Sequence, residues 1–446
     1  MTSADLGARL VVAGTHSGVG KTTVATGLLA ALRRRGHRPA AAKVGPDFID
    51  PGYHALACGR PPRNLDAWLC GADAMAPLAA RAASGADLLI IEGVMGLFDG
   101  AADGTASSTA DVARILGAPV VLVVDGGAIS GSVAALVHGF RTFDPTIQVA
   151  GVVLNRVGSD THEALLRDAL EPSGVPVLGV LRRDDRLTWR DRHLGLVPVA
   201  EEPGAVGGAL DRLADAVIGG VDLDAIVTVA SSAPPLGAAE VATPPRGPPF
   251  RVGVAAGRAF TFTYTDTLDA LAAAGAELVP FDPLRQSRLP ERIDGLLIGG
   301  GFPEVYGAEL SANRELLADV GRRVTAGLTT WAECGGLLLL CRSLDGHPMA
   351  GVIDAVGQLT DRLTLGYRRA RSRRASPIGP AGTELRGHEF HYSSLAPRGR
   401  ALELTDRWGR VDDGWATPTL LATYLHHHPG GDPAAIGRFA AACVRA

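Results

Sequence analysis

The chain has 446 residues, of which 46% are apolar and 20% are charged, a composition typical of a globular protein rather than a disordered or fibrous one. At about 100 to 200 residues per domain, this length predicts two or three domains. The formal net charge of −4 excludes a global positive field for nucleic acid or an acidic membrane, so we expect small molecules as partners.

The five cysteines are odd in number and have no CxxC spacing, which argues against a disulfide framework and against a zinc site. The N-terminal residues show no basic region followed by an apolar signal core. No apolar run approaches the roughly 20 residues that span a bilayer. We therefore expect a cytoplasmic protein that contacts neither membranes nor nucleic acid.

The first half of the chain alternates short Val, Ile and Leu runs with longer helix-like segments up to about residue 220. Near-continuous apolar strands that alternate with helices predict a doubly wound α/β fold with a parallel sheet covered on both faces. The predicted strands are Leu10–Ala13, Leu88–Ile91, Pro119–Val124 and Val149–Leu154.

The first predicted strand leads into GTHSGVGKTT, residues 14–23, and then into a helix-like segment, Val24–Arg35. In a phosphate-binding loop, glycines let backbone N–H groups surround phosphate oxygens, a lysine neutralises the outer phosphates, and the next hydroxyl binds Mg²⁺. Thr15 stands at the usual first glycine, and Gly14 lies one residue earlier, so a Gly-rich turn with a surface lysine is the alternative. We predict that ATP binds at Gly18, Gly20, Lys21, Thr22 and Thr23.

Polar side chains follow several predicted strands, at the edge where doubly wound sheets bind ligands. Glu92 ends one strand, and Asp47 lies in KVGPDFIDP, residues 43–51. Because Mg²⁺ on nucleotide phosphates needs one or two carboxylates and the loop hydroxyl, we predict Thr22, Asp47 and Glu92 as its ligands, with solvated strand-end acids as the alternative. Asn155 is a candidate for reading the adenine edge, and a turn-forming Asn is its rival.

Residues 230–250, ASSAPPLGAAEVATPPRGPPF, are rich in Pro, Ala and Gly and have no apolar periodicity. This composition predicts a linker between an ATP-binding domain, residues 1–229, and a second α/β domain, residues 251–446. In the second domain, we predict strands at Val252–Ala255, Leu296–Ile298 and Leu328–Trp331, and helices at Asp266–Ala274 and Ala308–Ala326.

The third of these strands runs into AECGG, which places Cys334 on a tight strand-to-helix turn with small neighbours. The N-terminus of the following helix is expected to lower the thiol pKa, as a cysteine nucleophile requires. An imidazole base is best supplied by YLHHH, residues 424–428, for which a metal-binding His cluster is the alternative. Gly300 and Gly301, which follow another strand, can present backbone N–H groups as an oxyanion hole.

Six segments together, GTHSGVGKTT, KVGPDFIDPGYH, EGVMGLFDG, AECGG, GHEFHYSS and YLHHH, resemble the cobyrinate or hydrogenobyrinate a,c-diamide synthases of cobalamin biosynthesis. The resemblance covers nearly all of the chain outside the linker. It implies a P-loop, dethiobiotin-synthetase-like ATPase domain joined to a class I glutamine amidotransferase-like α/β domain.

The resemblance also implies that Cys334 is the glutaminase nucleophile and that His426 is its base. Two residues depart from the wider class I pattern. Ala332 replaces a glycine two residues before the cysteine, and His428 stands where an acid is expected after the base. The base is therefore oriented by another group, such as Glu389 or a backbone carbonyl, or the site works as a Cys-His dyad.

The activity that the resemblance implies is that of a carbon–nitrogen ligase. Such an enzyme amidates the a and c acetate carboxylates of hydrogenobyrinate or cobyrinate through an acyl phosphate, with ATP, Mg²⁺ and L-glutamine. Two alternatives remain: the same chemistry on another tetrapyrrole such as nickel-sirohydrochlorin, and a nucleotide-switch ATPase with an inactive appendage. The oligomeric state is open, with a homodimer among the expected assemblies.

The substrate is expected to lie beside the KVGPDFIDP segment. Phe48 and Ile49 offer an apolar surface for a flat macrocycle, and Arg63 and His54 offer positive charge for its peripheral carboxylates. We therefore predict substrate contacts at Phe48, Ile49, Asp50 and Arg63.

Overall fold

The structure, a computed structural model, describes residues 4–101, 103–187, 191–192, 195–196, 199, 201 and 203–445. The chain divides into two compact units, Met1–Val241 and Ala242–Ala446. The division lies inside the segment 230–250. Among the described residues, no helix combines the length and the apolarity that crossing a membrane requires.

The described strands of the N-terminal unit are β1 (Ala4–Leu6), β2 (Arg9–Gly14), β3 (Pro39–Val44), β4 (Asn64–Leu65), β5 (Leu88–Glu92), β6 (Val120–Asp125), β7 (Val149–Val157), β8 (Val177–Arg182), β9 (Asp191–Arg192), β10 (Gly195–Leu196) and β11 (Leu236–Ala238). The described α-helices are α1 (Lys21–Arg34), α2 (Asp50–Cys58), α3 (Ala67–Cys70), α4 (Met75–Ala83), α5 (Thr109–Leu116), α6 (Ser132–Phe143), α7 (Asp160–Leu170), α8 (Pro203–Gly220) and α9 (Leu223–Ser231).

Seven of these strands form one parallel sheet in the order β4-β3-β5-β2-β6-β7-β8. Strands β2, β3 and β5 are buried along their whole length. Full burial is typical of a parallel sheet with helices on both faces, so the doubly wound α/β prediction is confirmed. The four predicted strands of this half correspond to β2, β5, β6 and β7.

The first and last strands of the N-terminal unit pair with each other. Strand β1 runs antiparallel to β11, with Ala4 opposite Ala238. The buried guanidinium of Arg9 donates to four backbone carbonyls, those of Leu6 (2.9 Å), Gly7 (2.9 Å), Leu116 (2.6 Å) and Pro234 (2.7 Å). Part of the segment 230–250 therefore folds with the N-terminal unit.

The strands of the C-terminal unit are β12 (Phe250–Ala255), β13 (Ala276–Phe281), β14 (Gly295–Ile298), β15 (Thr329–Glu333), β16 (Cys341–Leu344), β17 (His347–Pro348), β18 (Ile353–Ser372), β19 (Glu384–Ala396), β20 (Leu402–Asp406), β21 (Gly409–Asp413), β22 (Trp415–Thr417), β23 (Leu420–Thr423) and β24 (His426–His427). The helices are α10 (Thr265–Ala273), α11 (Gly307–Ala312), α12 (Arg314–Thr325), α13 (Gly335–Leu340) and α14 (Pro433–Arg445).

Two sheets build the C-terminal unit. The first has the order β13-β12-β14-β15-β23-β22 and is parallel except for β22. The second has the order β17-β16-β18-β19-β24, with β20 paired to β18 and β21 paired to β20. The three predicted strands and the α/β class are confirmed, whereas the second sheet lies where no element was predicted.

The predicted helix Ala308–Ala326 is two helices, α11 and α12, which meet at Asn313. Asn313 has non-helical backbone angles, φ −83° and ψ 60°. Its side-chain NH₂ donates to the carbonyls of Pro283 (2.8 Å) and Gln286 (2.9 Å). The competing hydrogen bonds of this amide break the helix at a point where the apolar periodicity continues.

Candidate active sites

Strand β2 and helix α1 flank a loop formed by residues 15–20. Gly18 and Gly20 adopt φ values of 79° and 100°, which favour glycine. A methyl group added at Gly20 would lie 2.1 Å from Nδ2 of Asn155. Helix α1 has no side-chain cap and no acidic residue in its first turn, which includes Thr23, so its leading N–H groups suit an anion.

The side chains of Lys21 and Asn155 lie against this loop. Nζ of Lys21 donates to the His16 carbonyl at 3.2 Å. Burial, followed by the charge of Lys43, lowers the pKa of Lys21 to about 8. Nδ2 of Asn155 donates to the Val19 carbonyl at 2.9 Å, so this amide holds the loop in place. A contact between Asn155 and adenine stays a prediction.

A buried polar cluster surrounds Glu92 at the end of β5. Oε1 of Glu92 accepts from Oγ1 of Thr22 and from Nζ of Lys43, both at 2.7 Å. Oε2 of Glu92 lies 2.6 Å from Nε2 of His54. Lys43 also donates to Oδ2 of Asp50 at 2.7 Å, and the Thr22 hydroxyl lies 3.3 Å from the same oxygen.

Opposing effects set the charge states in this cluster. Burial alone raises the pKa of Glu92, but Lys43 and the hydrogen bond from His54 outweigh it, and this pKa lies well below its usual range. Burial alone lowers the pKa of Lys43, but Asp50 and Glu92 outweigh it and raise this pKa. Glu92 is therefore a buried carboxylate and Lys43 a buried ammonium.

The residues that suit Mg²⁺ differ from the predicted set in one acid. Thr22, Asp50 and Glu92 bring hard oxygen donors together, whereas Asp47 turns to its own backbone. Oδ1 of Asp47 accepts from the N–H groups of Ile49 (2.7 Å) and Asp50 (3.2 Å), which is the local turn bond that Asp favours. Burial and the charge of Asp50 raise the pKa of Asp47 to about 7, which weakens it further as a metal ligand.

Within the described part of the chain, no group of three or more His, Cys, Asp or Glu side chains is arranged to hold a metal ion. The alternative of a metal-binding His cluster therefore has no support there. A nucleotide-bound Mg²⁺ needs fewer protein ligands, one or two carboxylates and a hydroxyl, and the oxygens of Thr22, Asp50 and Glu92 meet that need.

The predicted substrate residues have different exposures. Ile49 is buried in the core, so it offers no surface to a macrocycle, whereas Phe48 and Arg63 are half-buried. His54 is also buried and is paired with Glu92, so it is not a surface cation as predicted. Asp50 lies with Thr22 and Lys43, and its contact with the substrate stays a prediction.

Lys43 is a site residue that sequence reasoning missed. It is 3% exposed and is the last residue but one of β3, whose other residues are apolar. A lysine within a buried strand is rare unless it is paired, and that anomaly was the signal available in the sequence.

Cys334 lies on a strained turn between β15 and α13, with φ 47° and ψ −100°. A methyl group added at Gly336 would lie 2.2 Å from the carbonyl oxygen of Ile298. One added at Gly335 would lie 3.1 Å from the backbone nitrogen of Gly301. The predicted tight turn with obligatory small neighbours is therefore present.

The environment of the Cys334 thiol differs from the prediction. The residue is 3% exposed, and burial, followed by the charge of Glu304, raises its pKa well above the usual range. A hydrogen bond from the Gly335 N–H lowers the pKa but is outweighed, and α13 is only six residues long. The expected lowering is therefore wrong for this state, and the protonated thiol needs a base.

His426, the predicted base, is fully buried in β24. Its Nδ1 lies 3.7 Å from Oε2 of Glu333. On the other edge of the ring, a methyl group added at Gly300 would lie 2.4 Å from Cε1 and 3.1 Å from Nε2. The imidazole thus lies between the residue that precedes Cys334 and the glycine loop that contacts the cysteine turn.

Glu389, proposed from the sequence as a group that orients the base, has other partners. Its carboxylate accepts from Arg368 at 2.7 Å and from Arg398 at 3.1 Å. His391 lies 3.5 Å from it. The carboxylate beside Nδ1 of His426 is instead that of Glu333, which sequence reasoning passed over.

The two predicted oxyanion-hole glycines have different roles. The Gly300 N–H donates to the carbonyl of Phe262 at 2.9 Å, so it is already used within the fold. Gly301, with φ 153°, places its backbone nitrogen beside Gly335 at the cysteine turn. Of the predicted pair, Gly301 is the one whose backbone nitrogen lies at the cysteine turn, and its role as an oxyanion donor stays a prediction.

Comparisons with known proteins agree with this division of chemistry. Residues 10–197 match the CobQ/CobB/MinD/ParA nucleotide binding domain, and residues 251–434 match the CobB/CobQ-like glutamine amidotransferase domain. The chain is 49% identical to a hydrogenobyrinate a,c-diamide synthase of Streptomyces coelicolor over 99% of both chains. It is 47% identical to the enzyme of that name from Thermobifida fusca, covering 97% of this chain and 96% of the other. It is 43% identical to a cobyrinate a,c-diamide synthase of Synechococcus over 98% of both chains.

Proposed function

Since the chain belongs to the family of hydrogenobyrinate and cobyrinate a,c-diamide synthases, we propose that it converts the a and c carboxylates of hydrogenobyrinate into amides with ATP and glutamine. It is a carbon–nitrogen ligase of cobalamin biosynthesis with a glutamine amidotransferase domain. The similarity over the full length to relatives of that name carries the proposal. The cobalt-free substrate is favoured because the relatives named for it are 49% and 47% identical, against 43% for the relative named for cobyrinate.

The N-terminal unit activates the carboxylate. A carboxylate is a poor electrophile, so one of its oxygens first attacks the γ-phosphorus of ATP, the bond to the β-phosphate oxygen breaks, and ADP leaves. The start of α1 and Lys21 bind the phosphates in this proposal. Thr22, Asp50 and Glu92 would hold Mg²⁺, which supplies positive charge to the phosphate oxygens when it is bound.

The C-terminal unit supplies ammonia. The Cys334 thiol gives its proton to His426, and the sulfur attacks the glutamine carboxamide carbon while Gly301 offers an N–H to the developing oxyanion. The C–N bond breaks, ammonia leaves with the proton from His426, and water hydrolyses the thioester to glutamate. Ammonia then attacks the acyl phosphate, inorganic phosphate leaves, and a proton is lost.

Mass spectrometry of reaction products tests the proposal. Purified protein is incubated with ATP, Mg²⁺ and glutamine, and with hydrogenobyrinate or cobyrinate in separate reactions. We expect the diamide from hydrogenobyrinate at the higher kcat/KM. A faster reaction with cobyrinate would reverse the substrate assignment, and no diamide from either would refute the function.

A further inference from the structure

The Glu333 carboxylate is anchored through one oxygen and faces the glutaminase base with the other. Glu333 is 7% exposed, and its Oε1 accepts from the indole N–H of Trp331 (3.0 Å) and from the backbone N–H of His427 (3.1 Å). Its Oε2 lies 3.7 Å from Nδ1 of His426. We propose that Glu333 is the positioning residue of the glutaminase, which orients the His426 ring and stabilises its protonated form while Cys334 loses its proton.

The contacts of Glu333 tie it to both sides of this reaction. Glu333 is the last residue of β15 and directly precedes Cys334. Its carboxylate also accepts a hydrogen bond from the N–H of His427 in β24, one residue after the base. A change in the position of the nucleophile relative to the base must therefore strain the Glu333 contacts. The carboxylate therefore links β15 to β24 and also positions the side chain of His426.

Neighbouring acids do not offer the same arrangement. The position at which the wider class I pattern has an acid is occupied by His428, whose Nε2 lies 3.8 Å from Oδ2 of Asp266. Glu389 is neutralised by Arg368 and Arg398. Glu333 thus supplies, from the residue before the nucleophile, the charge that the usual position lacks.

The chemistry gives this carboxylate a defined task, which rests on the proposed glutaminase function. The Cys334 proton moves to the imidazole Nε2, which creates an imidazolium in a site shielded from water. A carboxylate facing Nδ1 keeps the proton of the neutral ring on Nδ1, which makes Nε2 the proton acceptor, and it offsets the new positive charge.

The test is Glu333→Gln, which preserves volume and an acceptor for Trp331 but removes the charge. We expect kcat for glutamine hydrolysis to fall about 10²-fold or more, with little change in KM for glutamine. On the acid side of the pH–rate profile, the pH of half-maximal activity is expected to move down, because protonation of the base is no longer favoured. Glu333→Asp should restore part of the rate and move the profile back toward that of the wild type.

Asp266→Asn is the matched control, since it removes a buried acid at nearly the same distance from the neighbouring His428. It should leave the pH profile of glutamine hydrolysis in place. Diamide synthesis from ammonium salt is measured on each preparation. It shows whether the variant is folded and whether its ATP-dependent site in the N-terminal unit is active. If Glu333→Gln fails to fold, Trp331→Phe tests the proposal in its place, because it keeps the charge of Glu333 and removes the indole N–H that holds the carboxylate. We expect a several-fold loss of kcat for glutamine hydrolysis in this variant.

Unchanged kcat and pH profile in folded Glu333→Gln would overturn the inference, as would a profile that moves only in Asp266→Asn. Wild-type rates in Trp331→Phe would overturn it where Glu333→Gln does not fold. Failure of the proposed function has a different signature, since the wild type would then make no diamide from either nitrogen source.

Discussion

Lys43 joins two acids, the buried Glu92 and the half-buried Asp50, through hydrogen bonds of 2.7 Å each. Two carboxylates this close to one another repel, and a single ammonium between them offsets that repulsion. The same acids face the Thr22 hydroxyl, so the negative charge that a metal ion needs is prepared before nucleotide binds.

At this scale, two substitutions separate the two chemistries of the chain. Cys334→Ser should lose glutamine-dependent synthesis, because a serine hydroxyl has a far higher pKa than a thiol, and should keep synthesis from ammonium salt at raised pH. Lys21→Ala should lose synthesis with both nitrogen sources and keep some glutamine hydrolysis. Product formation and glutamate release are measured for both variants; a folded Cys334→Ser that loses both routes would contradict this separation.

Asp413 gives the C-terminal unit a defined pH dependence. Burial, followed by the charge of Glu389, raises its pKa from 3.8 to about 6, although Thr423 and Arg398 work in the other direction. The pKa of Asp413 is higher in the folded state than in the unfolded state. Its contribution to the free energy of unfolding is therefore fully present below about pH 4 and is lost as pH rises through about 6.

Asp413→Asn should therefore gain stability on the wild type as pH rises. Between pH 5 and pH 8, we expect the difference in free energy of unfolding to move by about 1–1.5 kcal/mol in favour of the variant. Urea unfolding curves at several pH values measure it. Parallel pH dependences of the two proteins would mean that the buried carboxyl does not titrate as described.

The position of Cys334 on its turn and that of Lys21 after the loop could be predicted, because glycine spacing and the change from strand to helix restrict where they lie. The choice between Asp47 and Asp50 could not, since both occur within four residues and the turn before α2 decides which carboxylate faces Thr22. The role of Glu333 could not be predicted either, because the sequence around an acid at the end of a strand does not show whether its side chain contacts solvent or a buried imidazole.

At the scale of elements, both sites depend on how closely a helix N-terminus approaches a strand. Gly336→Ala would place a methyl group 2.2 Å from the Ile298 carbonyl oxygen, so β14 or α13 must move. We expect loss of glutamine hydrolysis with synthesis from ammonium salt retained. Gly139→Ala is the control: this exposed glycine in α6 has nothing within 4 Å of the added methyl group.

The control should keep both activities and stabilise α6 by roughly 0.5–1 kcal/mol, the usual gain for Ala over Gly in a helix. Normal glutamine hydrolysis in Gly336→Ala would show that the cysteine turn tolerates a shift of β14, and the close approach would then have no functional meaning.

Elements with long apolar runs were predictable, and the second sheet of the C-terminal unit was not. Strand β18 runs for 20 residues and is largely exposed or half-exposed over its middle. Its stability comes from pairing with β19 and β20, which are distant in sequence, rather than from a periodic apolar face of its own. Such pairing leaves little trace in local patterns.

At the scale of the whole molecule, a short exposed segment lies between the last strand of one unit and a backbone hydrogen bond near the start of the next. Strand β11 ends at Ala238, and the Gly247 N–H donates to the Ala274 carbonyl at 3.0 Å in the C-terminal unit. Residues 239–246 have no regular structure and are mostly exposed.

We predict that brief treatment with proteinase K cleaves first within residues 239–246, because exposed chain without backbone pairing fits a protease most readily. Intact-mass analysis should give two fragments that match the two units. First cuts elsewhere in the chain would argue against this segment as the most accessible one.

The pairing of β1 with β11 has a consequence for the time course of synthesis. Ala4 pairs with Ala238, and Arg9 donates a hydrogen bond to the carbonyl of Pro234. Neither contact can form until nearly the whole N-terminal unit has been translated. At about 5–20 residues per second, the ribosome needs roughly 12 to 47 s to pass from Ala4 to Ala238. During this interval the nascent β1 lacks its partner strand and Arg9 lacks the Pro234 carbonyl, and chaperones that bind emerging chains have that long to engage this segment.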